Sequence, residues 1–407
     1  MTAIADLPDI RPSLLLDFAN SGRVDPRIEC TRASAATCFG PDGKLRTVPA
    51  NVPRIDYDPA TGKCLGLLVE ESRTNLLKHT GLFSSEWGVA RAVLSDSNVV
   101  TPSGVLSKKL SEGTEDSEHN IGCTYAPKPD TDYVFSVYVK AAERKFCNIS
   151  IRVFVSQVAG NNIRVNLETG EHNSPAAGTY FQAKHVGAGW WRLSLSTRTT
   201  ATPSTLSPTI CAAQSLSSYS YPGIAGNGIY VWGAQLEEGI FPTSYIPTEG
   251  TAVTRVADQV CIPVVGLPAS GFSYYSEQIV DWSTGEYVTI FSDSKTTLGQ
   301  YIGARNAAGG AYINSTEGGR TPALGQRPAA GQLFKAAASF SASGASSLAR
   351  DGATISGGVP QTVADISMRK YLKFGTTGAA ATVVARISKV FVYSGQLTSA
   401  QLKRLTA

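Results

Sequence analysis

The 407-residue sequence is poor in charged residues, which make up 17% of it, and Lys and Glu are scarce. Helical bundles need Glu, Lys and Leu on their helix faces, so this shortage argues against an all-α fold. Gly, Ser, Thr and Ala are plentiful, as in β-sandwiches with many turns. An apolar content of 42% with a net charge of only +4 argues against disorder. The length predicts two or three domains.

Long apolar runs and basic clusters are also missing. No stretch of about twenty apolar residues occurs, and the start "MTAIADLPDIRPSLLLDF" lacks the basic region that opens a signal peptide. We therefore expect a protein made in the cytoplasm, with no cleaved signal and no membrane insertion. The densest basic spots are dipeptides at 108–109 and 403–404. Nucleic-acid binding needs a clustered basic face, so no nucleic-acid partner is predicted.

Paired metal-ligand or disulfide spacings are absent. The Cys residues stand singly at 30, 38, 64, 123, 147, 211 and 261, and the His residues stand singly at 79, 119, 172 and 185. A zinc site or a disulfide framework would show closer, paired spacing. We expect free, buried or half-buried thiols, no metal and no cofactor.

What is present is period-2 alternation. Residues 1–78 are rich in turn signals and predict short strands and extended chain that lean on another surface. In residues 79–255, three stretches place apolar side chains on one face: Tyr133, Phe135, Val137 and Val139; Ile149, Ile151, Val153 and Val155; and Trp191, Leu193 and Leu195. Strands of this kind stack as a two-sheet antiparallel sandwich, such as the jelly roll of carbohydrate-binding modules.

Residues 260–407 predict a second β-rich unit. Its strand candidates are "GFSYYSEQIV", "EYVTIFSD", "QYIGARN", "AYIN", "LFKAAASF", "YLKFG" and "ARISKVFVYS". Thr398 can cap a short final helix with Leu402 and Leu405 facing inward. The predicted fold class is therefore all-β: two antiparallel β-sandwich (jelly-roll) domains in tandem after an extended N-terminal segment, with one short C-terminal helix.

Motifs for catalysis are weak. "GIAGNG" lacks the Lys-Ser/Thr of a P-loop, "SDSK" at 292–295 lacks its companion motifs, and no Gly-x-Ser-x-Gly occurs. Glycoside cleavage by two carboxylates is the most serious enzymatic alternative, with three candidate pairs: Glu70 with Glu71, Asp116 with Glu118, and Glu237 with Glu238. Neighbouring acids on a strand point to opposite faces, and 116–118 has the polarity of an exposed loop. No catalytic residue is therefore assigned.

Aromatic residues offer a binding hypothesis. Tyr219, Tyr221, Tyr230 and Trp232 lie close together in "SSYSYPGIAGNGIYVWG". Exposed rings among Ser, Asn and Gly suit a glycan-binding face, since rings stack on the apolar side of a pyranose. The alternative is that Tyr230 and Trp232 form the core face of one strand, behind a loop without a ligand.

Residues 11–258 resemble a module of tailed-bacteriophage virion proteins that are described as head spikes, head fibres or tail fibres. The matching pieces, in order, are "LDFA", "TRASAAT", "GPDG", "NVPRIDYDP", "GLLVEESRTNLL", "YVFSVYVKA", "GWWRLSLS" and "VWGAQLEEGIFPTSYIPTEGTAVTRVAD". The last piece has turn formers at Pro242, Pro247 and Gly250, and Tyr245 and Ile246 can pin it to the sandwich. We interpret it as a structural link between domains.

Residues 260–407 are similar to the concanavalin A-like or laminin G-like jelly roll. The matching pieces are "LFKAAASF", "SSLARDGATIS", "YLKFG" and "ARISKVFVYSGQLTSAQLKRL", with Arg350–Asp351–Gly352 as a turn in which Gly352 can take positive φ. Many members of this fold bind carbohydrate, often through calcium. No cluster of Asp and Asn with calcium-ligand character stands in this region.

These resemblances imply a non-enzymatic virion protein, a homotrimeric fibre or spike on the head or the tail. Residues 1–78 would attach it to another virion protein (capsid, portal/adaptor or tail component) or wrap a neighbouring protomer. Host surface polysaccharide is a further expected partner. Two alternatives stay open: a receptor-binding tail fibre with exposed aromatics near 217–228 or 303–320, and a capsule-degrading spike enzyme. The enzyme would need two carboxylates about 5–10 Å apart in a groove.

Overall fold

A computed structural model describes residues 11–81, 86–154, 161–264, 268, 270–283, 289–292, 301–304, 311–314, 331–341, 345–358, 371–375 and 383–407. The chain is nearly all β, with several antiparallel sheets, which confirms the predicted fold class. The first segment contains strands β1 to β7 and one short helix: β1 Leu14–Asp17, α1 Phe18–Ser21, β2 Glu29–Thr31, β3 Ala36–Phe39, β4 Leu45–Val48, β5 Arg54–Tyr57, β6 Cys64–Glu70 and β7 Arg73–Asn75.

The middle of the chain contains β8 to β20. These strands are β8 Gly88–Ala90, β9 Ala92–Val100, β10 Leu106–Glu112, β11 Asp116–Gly122, β12 Asp132–Ala141, β13 Phe146–Phe154, β14 Asn161–Asn166, β15 Phe181–His185, β16 Trp190–Arg198, β17 Thr205–Ala213, β18 Ser220–Pro222, β19 Gly228–Glu238 and β20 Val253–Arg255. Asp116 and Glu118 therefore lie in strand β11, and the expectation of an exposed loop there is wrong. Pairing with β17 and β18 outweighs the polarity of this stretch.

The last segment contains β21 to β30 and the terminal helix. Its elements are β21 Gln259–Pro263, β22 Gly271–Ser283, β23 Thr289–Ser292, β24 Tyr301–Ala304, β25 Ala311–Asn314, β26 Leu333–Ser341, β27 Ala345–Arg350, β28 Ala353–Gly358, β29 Tyr371–Phe374, β30 Val383–Tyr393 and α2 Ser399–Thr406. Each predicted strand of this segment is present within the described residues. Lys295 of "SDSK" and most of 303–320 lie outside them.

The middle sandwich has two sheets around one apolar core. One sheet has the order β15-β16-β12-β19-β10-β9; the other has the order β14-β13-β17-β11-β18, with β8 beside β11. The alternating residues predicted to share a face meet in this core, including Tyr133, Phe135, Ile149, Leu193 and Leu195. Alternation was sufficient here because each strand turns one face towards the opposite sheet, although β12 and β19 are buried on both faces. Val155 lies outside the described residues.

The second sandwich is built from both ends of the chain. Its larger sheet has the order β28-β27-β26-β22-β30-β6-β5, and β1 also pairs with β30; its smaller sheet has the order β2-β21-β29-β23-β24-β25. β6 pairs with residues 384–387 of β30, and β1 pairs with residues 389–392 of the same strand. The core combines first-segment side chains such as Leu16 and Leu67 with later ones such as Phe272 and Ile387. The domain borders proposed at 78 and 255–260 stay predictions.

The two connections to the middle sandwich run side by side. β7 carries the chain into this sandwich and β20 carries it out, and the two strands pair antiparallel, with Asn75 opposite Val253 and Arg73 opposite Arg255. A bridge between His79 and Glu249 continues this ribbon. The middle sandwich is thus an insertion held by a double strand.

Local signals at the C-terminus are confirmed. Asp351 and Gly352 both have positive φ in the turn between β27 and β28, as a two-residue hairpin loop requires. Thr398 caps α2 in a capping box with Gln401, and Leu402 and Leu405 are buried. The helix α1 was not predicted: Asp17 caps it by accepting from Asn20 N–H, and Gly22 ends it in the left-handed conformation.

A substitution at Gly66 tests how closely β6 packs against β30. Gly66 has φ +112° in β6, and a Cβ there would overlap the carbonyl oxygen of Ile387 in β30. Gly104 also has positive φ, but a Cβ there meets nothing within 4 Å. We expect Gly104→Ala to lower the free energy of unfolding by about 1–2 kcal/mol from backbone strain alone, and Gly66→Ala to lower it by clearly more. Urea unfolding of both variants measures this, and equal losses would contradict the close approach of β6 and β30.

Candidate functional site

The first-segment and linker pieces that carry the resemblance meet in one cluster of buried charged side chains. Five fully buried residues from four stretches form it, and we call them the buried ion network: Arg32, Arg54, Glu70, Arg255 and Asp258. Asp258 is central, because its carboxylate accepts from Arg32 Nη1 at 2.7 Å and from Arg54 Nη2. Arg54 Nη1 also donates to Glu70 Oε2 at 2.8 Å, and Arg255 Nε lies 3.5 Å from that oxygen. The network ties "TRASAAT", "NVPRIDYDP", "GLLVEESRTNLL" and "TRVAD" together.

Backbone groups and a hydroxyl add hydrogen bonds to the network, in which Arg54 Nε and Arg255 Nε have no hydrogen-bond partner among the described residues. Arg32 donates to the carbonyl oxygens of Ser34 at 2.9 Å and Pro49 at 2.6 Å. Glu70 accepts from Ser244 N–H at 2.7 Å and from Ser244 Oγ at 2.6 Å. Buried charges destabilise a fold unless they are paired and hydrogen-bonded, so these contacts allow the charges to be dehydrated.

The charges in the network shift the pKa values of its members. Burial alone would raise the pKa of Glu70, but the charges of Arg255 and Arg54 and the hydrogen bonds from Ser244 outweigh burial and hold that pKa well below its usual range. Burial lowers the pKa of Arg255. For Arg54, the charges of Asp258 and Glu70 overcome the effect of burial and raise the pKa. At neutral pH the Glu70 carboxylate is therefore ionised beside the charged guanidinium of Arg54.

In two of the acidic pairs considered for catalysis, one member is buried and the other lines a cleft. Glu70 belongs to the buried ion network, and Glu237 is fully buried, where Thr243 Oγ1 donates to it at 2.6 Å. Their neighbours, Glu71 and Glu238, both line one polar cleft, together with Arg73 and Lys128. There Glu71 pairs with Arg73, and Glu238 pairs with Lys128 at 2.6 Å. Burial raises the pKa of Glu71 despite the charge of Arg73.

The third acidic pair lies elsewhere. Asp116 and Glu118 face the same side of β11, and Glu118 pairs with Arg152 of β13 at 2.5 Å. Within the described ranges, no three or more His, Cys, Asp or Glu side chains are arranged to hold a metal ion. None of the seven Cys forms a disulfide, and five of them are buried. Burial raises the pKa of Cys38 to about 12, so this thiol is not a reactive thiolate at neutral pH.

Gly233 determines which side chains of β19 face outward. Gly233 has φ +66°, and the register of β19 against β12 shifts beside it, so that the core residues are Ile229 and Val231 before it but Ala234 and Leu236 after it. A glycine-based bulge of this kind reverses the alternation. A Cβ on Gly233 would lie 2.9 Å from the Tyr138 ring and 3.3 Å from the Tyr245 ring. The bulge therefore lets both rings pack against the backbone.

The stretch 241–248 covers the outer face of β19 beyond the bulge. Gln235 is fully buried there, and its amide accepts from Ile246 N–H at 2.7 Å and donates to the carbonyl oxygen of Ser244 at 3.3 Å. Tyr245 and Ile246 are buried, as expected of residues that pin the link to the sandwich. Thr37 Oγ1 donates to the carbonyl oxygen of Tyr245 at 2.6 Å and ties the link to β3.

A cleft of about 660 Å³ remains beside this cover, between β4 and β10. We call it the aromatic cleft, because Trp232 and Tyr245 line it with ring centroids 4.6 Å apart. Hydroxyl groups of Thr47, Ser103, Thr80 and Thr248 and the exposed side chains of Val105 and Leu106 also line it. Such a mixture of rings, aliphatic groups and hydroxyls can bind a small polar organic ligand.

The four predicted glycan-contacting residues have different environments. Tyr221 is buried, and its hydroxyl donates to Glu112 at 2.6 Å, while the Arg164 guanidinium lies over the Tyr219 ring. Tyr230 and Trp232 share the outer face of β19 and pack against a separate cluster that includes Phe39 and Trp190. They are therefore not part of the sandwich core, although side chains from the first segment cover them. Glycan contact stays a prediction for all four, and Trp232 is the one that lines the aromatic cleft.

Sequence reasoning did not identify Tyr245, Thr47 or Leu106 as lining residues. A signal for the orientation of Trp232 was nevertheless present, because the apolar alternation in "GIYVWGAQLEE" changes phase at its internal glycine. Nothing comparable marks Thr47 or Leu106, which reach the cleft through the packing of separate hairpins.

No protein-family model matches the sequence, and a search of curated proteins found no match. Similar solved structures include domain 4 of AbnA, a GH43 extracellular arabinanase from Geobacillus stearothermophilus in complex with arabinotriose, at 15% identity and a TM-score of 0.32, covering 41% of this chain and 82% of that one. They also include Trypanosoma rangeli sialidase in complex with the inhibitor DANA, at 10% identity and a TM-score of 0.28, covering 77% and 68%. A third is a mutant of the GH43 protein BlXynB from Bacillus licheniformis, at 9% identity and a TM-score of 0.23, covering 91% and 99%. Similarities this low carry no inference about what the chain binds or does.

Substitution of Glu70 tests the buried ion network. Glu70→Gln leaves Arg54 and Arg255 buried with one counter-charge fewer, and we expect the free energy of unfolding to fall by about 3–5 kcal/mol. Glu238→Gln is the matched control, because its partner Lys128 is at the surface and the variant should unfold almost as the wild type does. Urea unfolding followed by circular dichroism measures both. Equal stability of the two variants would show that the network is not required.

The depressed pKa of Glu70 also predicts a pH dependence. Because the folded-state pKa lies below the unfolded value, the carboxylate stabilises the fold fully above pH of about 4.3, the pKa of Glu in unfolded chains. Below that pH the contribution declines by about 1.4 kcal/mol per pH unit, and it is lost once the pH falls below the folded-state pKa. The stability difference between wild type and Glu70→Gln, measured in urea at several pH values, should shrink accordingly on acidification. A difference independent of pH would contradict the assignment.

Proposed function

We propose that this chain is a non-enzymatic structural protein of a tailed-bacteriophage virion, a fibre or spike that projects from the particle and adheres to surface glycans. The observation that carries the proposal is the buried ion network. Four of the sequence pieces that resemble phage virion proteins converge on its charges, and these buried charges pair with one another.

A projecting protein of this kind has to hold its domains in a fixed relative orientation. The network connects β5 and β6 of the second sandwich with the outgoing connection at Arg255 and Asp258. Ser244, in the cover on the outer face of β19, binds the same carboxylate, Glu70. A buried charge that lost one partner would be strongly destabilising, so bending at this joint is unfavourable. This rigidity supports a structural role.

Homotrimeric assembly and attachment to another virion protein belong to the proposal through the resemblance. In the structure, the described part of residues 11–78 pairs within the chain, chiefly with β30 and β21. We propose that the first segment attaches to the particle as a built-in part of the second sandwich, through its outer surface. Three copies would present three adhesive faces, so weak binding to a polysaccharide could add up to useful avidity.

Electron microscopy tests the proposed location. Antibodies raised against residues 260–407 and coupled to gold should label purified particles of the phage that carries this sequence. Label at the tail tip would support host recognition, and label on the capsid would support a head fibre or spike. Antibodies preabsorbed with the purified chain are the control. Absence of specific label on intact particles would contradict the virion role and give priority to the capsule-degrading enzyme, for which Glu71 and Glu238 would be the acids to test.

A further inference from the structure

We propose that the aromatic cleft between β4 and β10 is a binding site for a neutral saccharide, with Trp232 as its central hydrogen-bond donor. This inference deepens the adhesive part of the proposed function and rests on it for its biological meaning. The site differs from the loop at 217–228, where the Tyr221 hydroxyl already donates to Glu112.

The strongest observation is an unused donor in the wall of the cleft. Trp232 is 7% exposed and lines the cleft, and its indole N–H, which donates to no group of the described residues, is not one of the buried polar atoms without a partner and so is open to the cleft. Buried tryptophans usually find a partner for this group. Trp87, Trp190 and Trp191 do so by donating to the carbonyl oxygens of His79, Val100 and Leu167. A ligand oxygen in the cleft can accept from Trp232 in place of water.

The ring of Trp232 is held so that this donor cannot easily turn away. Tyr138 and Tyr245 pack against it, with centroid distances of 5.0 Å and 4.6 Å. The bulge at Gly233 brings the Tyr138 and Tyr245 rings against the backbone. A donor held in advance loses little conformational entropy when a ligand binds.

The other residues that line the cleft provide the mixture of hydroxyl and apolar groups that a sugar requires. Hydroxyls such as those of Thr47 on β4 and Ser103 before β10 can both donate to and accept from sugar hydroxyls. Val105 and Leu106 are 52% and 58% exposed at the mouth, where they can contact the C–H face of a pyranose. A volume of about 660 Å³ lies within the range of small-molecule sites.

The charges at the mouth favour a neutral ligand over an anionic one. Arg46 already pairs with Asp42 at 3.0 Å, and Lys108 pairs with Asp96. Glu249, which also lines the cleft, is exposed and would repel a phosphate or a carboxylate. The hydroxyl-rich walls likewise disfavour a lipid chain, because binding it would dehydrate them without replacing their hydrogen bonds.

Fluorine NMR on the full chain tests the site directly. The chain has five Trp, so 5-fluorotryptophan labelling gives five resonances, which Trp→Phe variants assign singly or by elimination if one variant fails to fold. The probes are glucose, galactose, mannose, rhamnose and N-acetylglucosamine at millimolar concentrations, where weak single-sugar binding is detectable. Inorganic phosphate is the anionic comparison. We expect at least one sugar to shift the Trp232 resonance in a saturable way and phosphate to leave it unchanged.

Two variants place the binding in the cleft. Thr47→Val removes one exposed hydroxyl at nearly constant shape. It should raise the Kd for the sugar by about five- to tenfold. Thr124→Val, the same change at an exposed threonine outside the cleft, should leave the affinity unchanged. The proposal is overturned if no sugar shifts Trp232, if only phosphate does, or if Thr47→Val has no effect on the shift. A positive result on a chain that is absent from virions would uphold the site and reject the virion role, so the two proposals fail separately.

Discussion

Arg54 and Asp258 are the contact on which the arrangement of this protein depends, because they join parts of the chain that lie 204 residues apart in the sequence. Each is fully buried, so neither charge can be left without its partner. Arg32, Glu70 and Arg255 extend the contact to the first segment and to both connections of the middle sandwich. An apolar joint of equal area would tolerate small rotations. A network of directed hydrogen bonds favours one geometry, and this accounts for the distinctive sequence of the pieces that meet in it.

The same stretch of chain that closes the network also shapes the aromatic cleft. Ser244 binds Glu70, and the next residue, Tyr245, packs on Trp232. The backbone carbonyl of Tyr245 accepts from Thr37, whose own carbonyl accepts from Arg54. The wall of the cleft and the joint between the sandwiches are therefore one hydrogen-bonded unit. A rotation at the joint would displace Tyr245 from the Trp232 ring, so orientation of the domains and integrity of the cleft are coupled.

The middle sandwich was predictable from sequence where alternating apolar side chains face the opposite sheet. Alternation at 133–139 and 191–195 predicted the core directly, and the capping of the last helix followed from Thr398 and two leucines. The partners of the first segment were not predictable, because β1 and β6 are short and pair with β30, a strand more than 300 residues away. The ion network could not be predicted from sequence either. Glu70 lies in the network and Glu71 lines the polar cleft, yet the two residues are adjacent acids in the sequence. Only their tertiary contacts distinguish them.

The proposed saccharide site and the ion network differ in what pairs with their polar groups. In the network the buried charges pair with one another, whereas the indole N–H of Trp232 donates to no group of the described residues and is open to the cleft. A ligand oxygen in the cleft can therefore accept from it. Since a single sugar makes few contacts, its affinity would be low. A rigid joint that presents several copies of the cleft in parallel would then convert weak contacts into firm adhesion.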